Sequence, residues 1–297
     1  MQIETVGVVG CGLMGHGIAQ IAAQGGYKVI VSEADQGALD KGLSRIEKSL
    51  GKLAGKLVEK GKKTAEEAEA DAAAAFGRIT GTLDRADLAD CDLICEAIVE
   101  NLDVKNQLFK ELGESVKESC IFATNTSSFP VAEMAAASGR PDRFVGLHFF
   151  NPVQLMRLVE VVHTDETDEE VFAAARAFGE ACGKTAVACK DTPGFVVNRL
   201  LVPYMVQALE MLDRGDATKE DIDAAMQLGC GYPMGPITLT DYVGLDTTLF
   251  ILQGWAERYP DEPAFGVPAI LERYVAEGKL GRKVGEGFYD WNADKKA

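Results

Sequence analysis

Histidine is scarce in this chain: three residues, at positions 16, 148 and 163, in a sequence of 297. They are too dispersed to suggest a metal site. The seven cysteines (Cys11, Cys91, Cys95, Cys120, Cys182, Cys189, Cys230) include no Cys-x-x-Cys pair. An odd, scattered set of thiols argues against a disulfide framework and for a reducing, cytoplasmic setting. No apolar run reaches the ~18–20 residues of a membrane span. The N-terminus opens on a strand pattern, without the basic-then-apolar order of a leader. Positive charge is also in deficit: 30 Lys and Arg against 46 Asp and Glu, a net charge of −16, disfavour nucleic acid and anionic membranes as partners. What is present, 47% apolar and 26% charged residues, suits a soluble globular chain of one large domain or two.

The N-terminal residues are the most informative. A short β-branched strand, Thr5-Val-Gly-Val-Val-Gly10, leads into Gly10-Cys-Gly12-Leu13-Met14-Gly15 and then an apolar helix. A second strand ends at Glu33, eighteen residues beyond Gly15. This is a βαβ unit carrying G-x-G-x-x-G. The glycines allow a tight turn, close approach of a pyrophosphate and close helix–strand packing, and the helix N-terminus favours the anion. Glu33 favours a ribose with free hydroxyls, hence NAD over NADP. His16, inside this turn, reads as a surface or packing residue.

Residues 36–63 depart from the acidic background. Leu39, Leu43, Ile46, Leu50, Leu53 and Leu57 make a helical apolar stripe. Eight cations (Lys41, Arg45, Lys48, Lys52, Lys56, Lys60, Lys62, Lys63) stand against Glu47 and Glu59. An acidic helical stretch follows, so a helical hairpin inserted into the sheet is expected. It is either a solvated amphipathic hairpin or a dock for a polyanion, with Ser49, Lys52 and Lys56 on one face.

The strand pattern resumes over 92–96 and 120–124, with a helix over about 103–117 between them. Glu100, Asn125 and Ser127 fall at C-terminal strand ends, where open parallel sheets bind ligands. The next two apolar strands, 144–149 and 158–163, flank Asn151-Pro152 and contain His148 and Glu160. A carboxylate among valines needs a partner. A His held by an acid is either a structural pair or a proton-transfer catalyst. A helix at about 168–181 and a strand at 185–189 close this domain. Helices at about 195–213, 218–228, 237–258 and 267–277 follow. The reading is α/β: a Rossmann-like dinucleotide-binding domain (1–189) with an inserted helical hairpin, then an all-α domain (190–297) expected to carry dimerisation and substrate contacts. Leu200, Leu201, Val202, Met205 and Leu209 supply more apolar surface than a small cap is expected to bury.

Together, Val8–Ala19, Asn125-Thr-Ser-Ser128, Gly146-Leu-His148-Phe-Phe-Asn151-Pro152, Met156–Glu160, Asp191-Thr-Pro-Gly-Phe-Val-Val-Asn198-Arg and Gly281–Tyr289 resemble the L-3-hydroxyacyl-CoA dehydrogenase family, including the bacterial 3-hydroxybutyryl-CoA dehydrogenases. The resemblance spans almost the whole chain in the family's order. It implies NAD-dependent oxidation of a short-chain L-3-hydroxyacyl-CoA by a homodimer. His148 would be the acid/base, Glu160 its orienting partner, and Ser127 and Asn198 the holders of the reacting oxygen. Gly10, Gly12, Leu13, Met14, Gly15, Glu33, Glu100, Lys105, Asn125, Ser127, Asn151 and Lys283 would line the NAD site. Ser49, Lys52, Lys56 and Ser127 would meet the coenzyme A thioester. Gln154 stands where the family often has proline, and Phe129-Pro130 where a smaller aliphatic residue is common. Both bear on acyl length rather than chemistry. Two rival readings are a free hydroxy-acid dehydrogenase of the gulonate-dehydrogenase/lambda-crystallin type and an NAD-binding protein without turnover.

Overall fold

The computed structural model describes residues 1–292. The chain divides into two compact units, Met1–Phe195 and Val196–Ala297.

The first unit is built on eight strands: β1 (Thr5–Val9), β2 (Lys28–Ser32), β3 (Ile79–Thr82), β4 (Leu93–Glu96), β5 (Ile121–Thr124), β6 (Phe144–Phe149), β7 (Leu158–His163) and β8 (Thr185–Lys190). They lie in the order β3-β2-β1-β4-β5-β6-β7-β8. Every neighbouring pair is parallel except β6 with β7, which is antiparallel. Six helices accompany the sheet: α1 (Gly15–Gln24), α2 (Gln36–Glu59), α3 (Ala65–Phe76), α4 (Leu102–Ser115), α5 (Val131–Ala137) and α6 (Glu169–Ala181). Such a sheet is covered on both faces, and its alternate residues serve two cores. Leu93, Cys95, Ile121, Ala123, Val145 and Leu147 join one. Ile94, Phe122, Phe144 and Val162 join the other. By that alternation His148 and Glu160 project to the second face.

The basic helix forms as expected, capped by the Asp35 carboxylate, which accepts from Ala38 N–H at 2.9 Å. Its buried stripe is Leu39, Gly42, Ile46, Leu50 and Ala54. Leu43, Leu53 and Leu57 are only half-buried. The helix ends at Glu59, so Lys60, Lys62 and Lys63 lie on the connector and not on a helical face. Lys63 pairs with Asp71 of α3, so part of the hairpin's charge is satisfied internally. A capping box between Thr64 and Glu67 starts α3. The short strand β3 and short helix α5 had no clear periodicity in sequence, being only four and seven residues long.

The second unit contains α7 (Val197–Arg214), α8 (Lys219–Cys230), α9 (Pro236–Val243), α10 (Leu245–Arg258) and α11 (Ala269–Ala276). The single helix expected over 237–258 is two, because Gly244 adopts φ +100° between α9 and α10. Val202, Met205, Val206, Leu209, Leu252 and Trp255 form part of the unit's own core. Three residues expected to be surplus to a small cap, Val202, Met205 and Leu209, are therefore buried within it, whereas Leu200 is 70% exposed.

Candidate active site

The glycine-rich turn follows β1, and its glycines differ in what they permit. Gly10 sits at φ +95°, and a Cβ there would press on the Ala97 carbonyl oxygen at 2.6 Å. A Cβ on Gly15, the first residue of α1, would overlap the Gly10 carbonyl. Gly12 has open space where its Cβ would be. Two glycines thus close the turn and one leaves its outer side clear, as a pyrophosphate needs. Leu13 is exposed and Met14 is half-buried at the helix entry. Glu33 follows β2, and its Oε2 accepts from Cys11 N–H at 2.7 Å. The acid is thereby tied to the turn itself, which fits a dinucleotide ribose beside its phosphates.

At the ends of β4 and β5 a buried network organises the next part of the rim. Lys105 of α4 is 1% exposed; its Nζ donates to Glu96 Oε1 at 2.6 Å and lies 3.1 Å from Glu100 Oε2. Glu96 also accepts from Thr124 Oγ1 at 2.6 Å. Glu100 Oε1 accepts from Thr126 Oγ1 at 2.6 Å, Ser127 N–H at 3.1 Å and Ser128 Oγ at 3.2 Å. Burial pushes the Glu100 carboxyl up, but the Lys105 ammonium and the Thr126, Lys105 and Ser127 donors outweigh it and hold the group below its ordinary value. Glu100 therefore clamps the Thr126–Ser128 loop. Lys105, expected to face the cofactor, spends its ammonium on two carboxylates. Asn125 Oδ1 accepts from Phe149 N–H at 2.9 Å and ties β5 to the end of β6.

His148 and Glu160 are direct cross-strand partners in the antiparallel β6–β7 pair. Their side chains meet with Nδ1 and Oε2 2.6 Å apart, His148 5% exposed and Glu160 fully buried. An ionised carboxylate can only accept, so Nδ1 carries the hydrogen and Nε2 is left as the basic nitrogen. Phe150 and Phe195 flank the ring, with centroids 4.5 and 5.5 Å from it. Cys189, on β8, is pushed up to about 12 by burial, then by Glu160 and Asp191, so its thiol stays protonated. Asn151 is exposed just beyond β6.

A separate cleft of ≈ 370 Å³ is lined by Arg45, Lys48, Ser49, Lys52 and Lys56 of α2, with His16, Pro152, Gln154 and Leu155 opposite. The three residues expected on one helical face thus converge on one concavity together with two further cations. Gln154 donates to Gln20 Oε1 at 3.2 Å at its edge. Asn198 and Lys283 belong to the second unit. Asn198 is in the first turn of α7, and Lys283 Nζ is bonded to both Asp246 carboxylate oxygens, at 2.5 and 2.6 Å.

The residues missed in sequence are Glu96, Thr126, Phe150 and Phe195. The first had a usable signal, since Glu96 is a carboxylate ending an apolar strand, the same feature that singled out Glu160.

Comparison with known proteins completes the picture. Residues 5–192 match the model of the 3-hydroxyacyl-CoA dehydrogenase NAD binding domain, and residues 194–291 match that of the 3-hydroxyacyl-CoA dehydrogenase C-terminal domain. The chain is 49% identical to the mitochondrial hydroxyacyl-coenzyme A dehydrogenase of Rattus norvegicus over 289 residues, covering 97% of this chain and 91% of the relative. It is 49% identical to a probable 3-hydroxybutyryl-CoA dehydrogenase of Deinococcus radiodurans over 286 residues, 96% of this chain and 99% of that one. The crystal structure of (S)-3-hydroxybutyryl-CoA dehydrogenase from Ralstonia eutropha superposes with a TM-score of 0.91 at 40% identity, covering 98% and 99% of the two chains. By sequence in both domains and by fold, the chain belongs to the 3-hydroxyacyl-CoA dehydrogenase family.

Proposed function

We propose that His148, set by Glu160, is the acid/base of a reversible NAD-dependent oxidation of L-3-hydroxyacyl-CoA to 3-oxoacyl-CoA. The observation that carries this reading is the buried cross-strand pair, Nδ1 to Oε2 at 2.6 Å, at the ligand-binding rim of a dinucleotide-type sheet. Nε2 takes the C3 hydroxyl proton, and the Glu160 charge stabilises the imidazolium that results. When bound, NAD supplies the hydride acceptor. Gly10, Gly12, Leu13, Met14, Gly15 and Glu33 hold the dinucleotide, with Glu100, Lys105, Asn125, Asn151 and Lys283 completing its surroundings. Ser127, on the loop clamped by Glu100, and Asn198 hold the reacting oxygen, whose charge grows in the transition state.

The basic cleft separates this from the free hydroxy-acid reading. A small acid has no use for Arg45, Lys48, Lys52 and Lys56 about one cavity, whereas the phosphates of coenzyme A do. The acyl group is short, as in 3-hydroxybutyryl-CoA. The protein works as a homodimer through its second unit, where Leu200, Leu228 and Phe250 are 70%, 88% and 66% exposed. Its compartment is the cytoplasm, in keeping with seven unpaired cysteines. Among the described residues, no helix is long and apolar enough to cross a membrane.

The test is NADH absorbance with acetoacetyl-CoA and with its pantetheine analogue, which lacks the nucleotide. Changing Lys52 and Lys56 to Glu should raise KM for acetoacetyl-CoA about ten- to a hundredfold and spare the pantetheine thioester. Absence of NADH oxidation by the parent enzyme rejects the activity. Equal losses on both thioesters reject the cleft as the nucleotide site.

A further inference from the structure

We propose that Phe195 is a positioning residue for His148, its ring fixing the imidazole that Glu160 holds by one nitrogen. The proposal rests on His148 being the acid/base. Phe195 is the one non-glycine residue with positive φ (53°) among the described residues. That region is disfavoured for any residue with a Cβ, and most of all for a bulky one; glycine or asparagine is the usual occupant. Here an aromatic ring occupies it, 5% exposed, with its centroid 5.5 Å from the His148 ring and the planes at 55°.

The surroundings over-determine this conformation. The Asp191 carboxylate accepts from Val131 and Ala132 N–H, at 3.0 and 2.8 Å, at the start of α5. Asp191 N–H donates to the His163 carbonyl at 3.0 Å, at the end of β7. Gly194 takes φ +77°, and Phe195 N–H closes the turn on the Thr192 carbonyl at 2.9 Å. Strain kept in place by such anchoring concentrates where a side chain must be aimed.

What the ring aims at is the imidazole. A single hydrogen bond at Nδ1 leaves the His148 ring free to tilt about that bond, moving Nε2 away from the substrate. An aromatic contact removes this tilt and keeps water from the ring. It also places a π-cloud within about 6 Å of the imidazolium that the proposed proton transfer creates. Phe150, 4.5 Å from the imidazole, adds a second aromatic contact from the adjoining loop. A plain core filler at position 195, in the buried cluster that also holds Val131 and Val162, would need only apolar volume, which Leu or Met also supplies.

The experiment compares Phe195→Leu and Phe195→Met with the parent, counting competent sites by NADH titration. The expected result is a kcat about three- to tenfold lower, with KM for acetoacetyl-CoA and the NADH Kd within about twofold. In a Glu160→Gln background the same changes should add less than about twofold, because the imidazole is already released. Phe195→Tyr, which keeps the ring, should restore kcat. If both ring-less variants retain parental kcat and lose only thermal stability, Phe195 is a core filler and the proposal falls. Losses that multiply in full with Glu160→Gln also overturn it. A His148→Gln enzyme with normal kcat would instead remove the acid/base reading itself.

Discussion

Buried carboxylates are satisfied differently in the two units. In the helical unit, Asp223 accepts from Ile237 N–H at 2.8 Å, Thr238 N–H at 2.9 Å and the Tyr289 hydroxyl at 3.0 Å. Asp241 accepts from Phe288 N–H, Tyr289 N–H and Trp291 Nε1 at 2.8, 2.9 and 2.8 Å. These neutral donors hold distant parts of the chain together and do not change protonation in any working range. In the sheet unit, Glu96 meets the Lys105 ammonium and Glu160 meets the His148 imidazole. Of all these partners, only the imidazole has a second ring nitrogen through which a proton can be taken up and returned. Burial alone therefore does not single out Glu160 for the orienting role proposed for it; its partner's chemistry does.

The largest effect is expected where that partner is the proposed proton carrier. Glu160→Gln keeps the shape and, on the proposed mechanism, removes the charge that orients His148 and stabilises its imidazolium. A charge-assisted hydrogen bond at a catalytic base is worth roughly 2–4 kcal/mol, so kcat should fall about 30- to 1,000-fold while NADH binding survives. The double variant with His148→Gln should be little worse than the more damaging single. Steady-state kinetics on the three enzymes decide it, and a near-normal kcat for Glu160→Gln would erase the contrast between the units.

The matching change in the other unit should act on stability. Burial pushes the Asp241 carboxyl above its ordinary value, against the pull of the Tyr289, Phe288 and Trp291 donors. Asp241→Asn turns an amide N–H toward those donors, at a cost of about 1–3 kcal/mol. Denaturant unfolding should show the loss, with kcat per folded molecule unchanged. A fall in kcat without a fall in stability would break the distinction.

The smallest effect concerns Glu100. Its folded-state pKa is depressed below 4.5, so its contribution to stability is present above that value and lost as pH falls through the lower, folded one. Glu100→Gln should flatten the acid limb of the stability–pH curve in that window by lowering the neutral plateau, and leave stability least changed at acid pH, where Glu100 is already protonated. An unaltered limb would mean that the clamp on Thr126 and Ser127 adds no net stability.

Much of the site was readable because its signals are local. The glycine turn is encoded within six residues, Gly10 to Gly15, and the stripe and cations of α2 follow helical spacing. Where residues far apart in sequence cooperate, reading failed or stayed open. Glu96 escaped notice because its partner Lys105 sits nine residues on, across a loop and on a helix. Phe195 lies in the Asp191–Arg199 stretch that carried the resemblance, but nothing in that stretch foretold its conformation, since positive φ at a phenylalanine is imposed by anchors at Asp191 and Thr192. The break at Gly244 was hidden because apolar periodicity continues on both sides of it.

The sequence by itself determined the strand–turn–helix that receives a dinucleotide, the acid Glu33 after the second strand, and the basic face of α2. Each depends on backbone preferences and spacings of a few residues, which any sequence context preserves. Only the tertiary structure decided that β7 runs antiparallel to β6 in the register that sets Glu160 opposite His148. A slip of one residue would have turned Glu160 to the other face of the sheet, because side chains alternate with a period of two. Pairing register is set by how two separate cores are filled at once, and no short stretch of sequence contains that information.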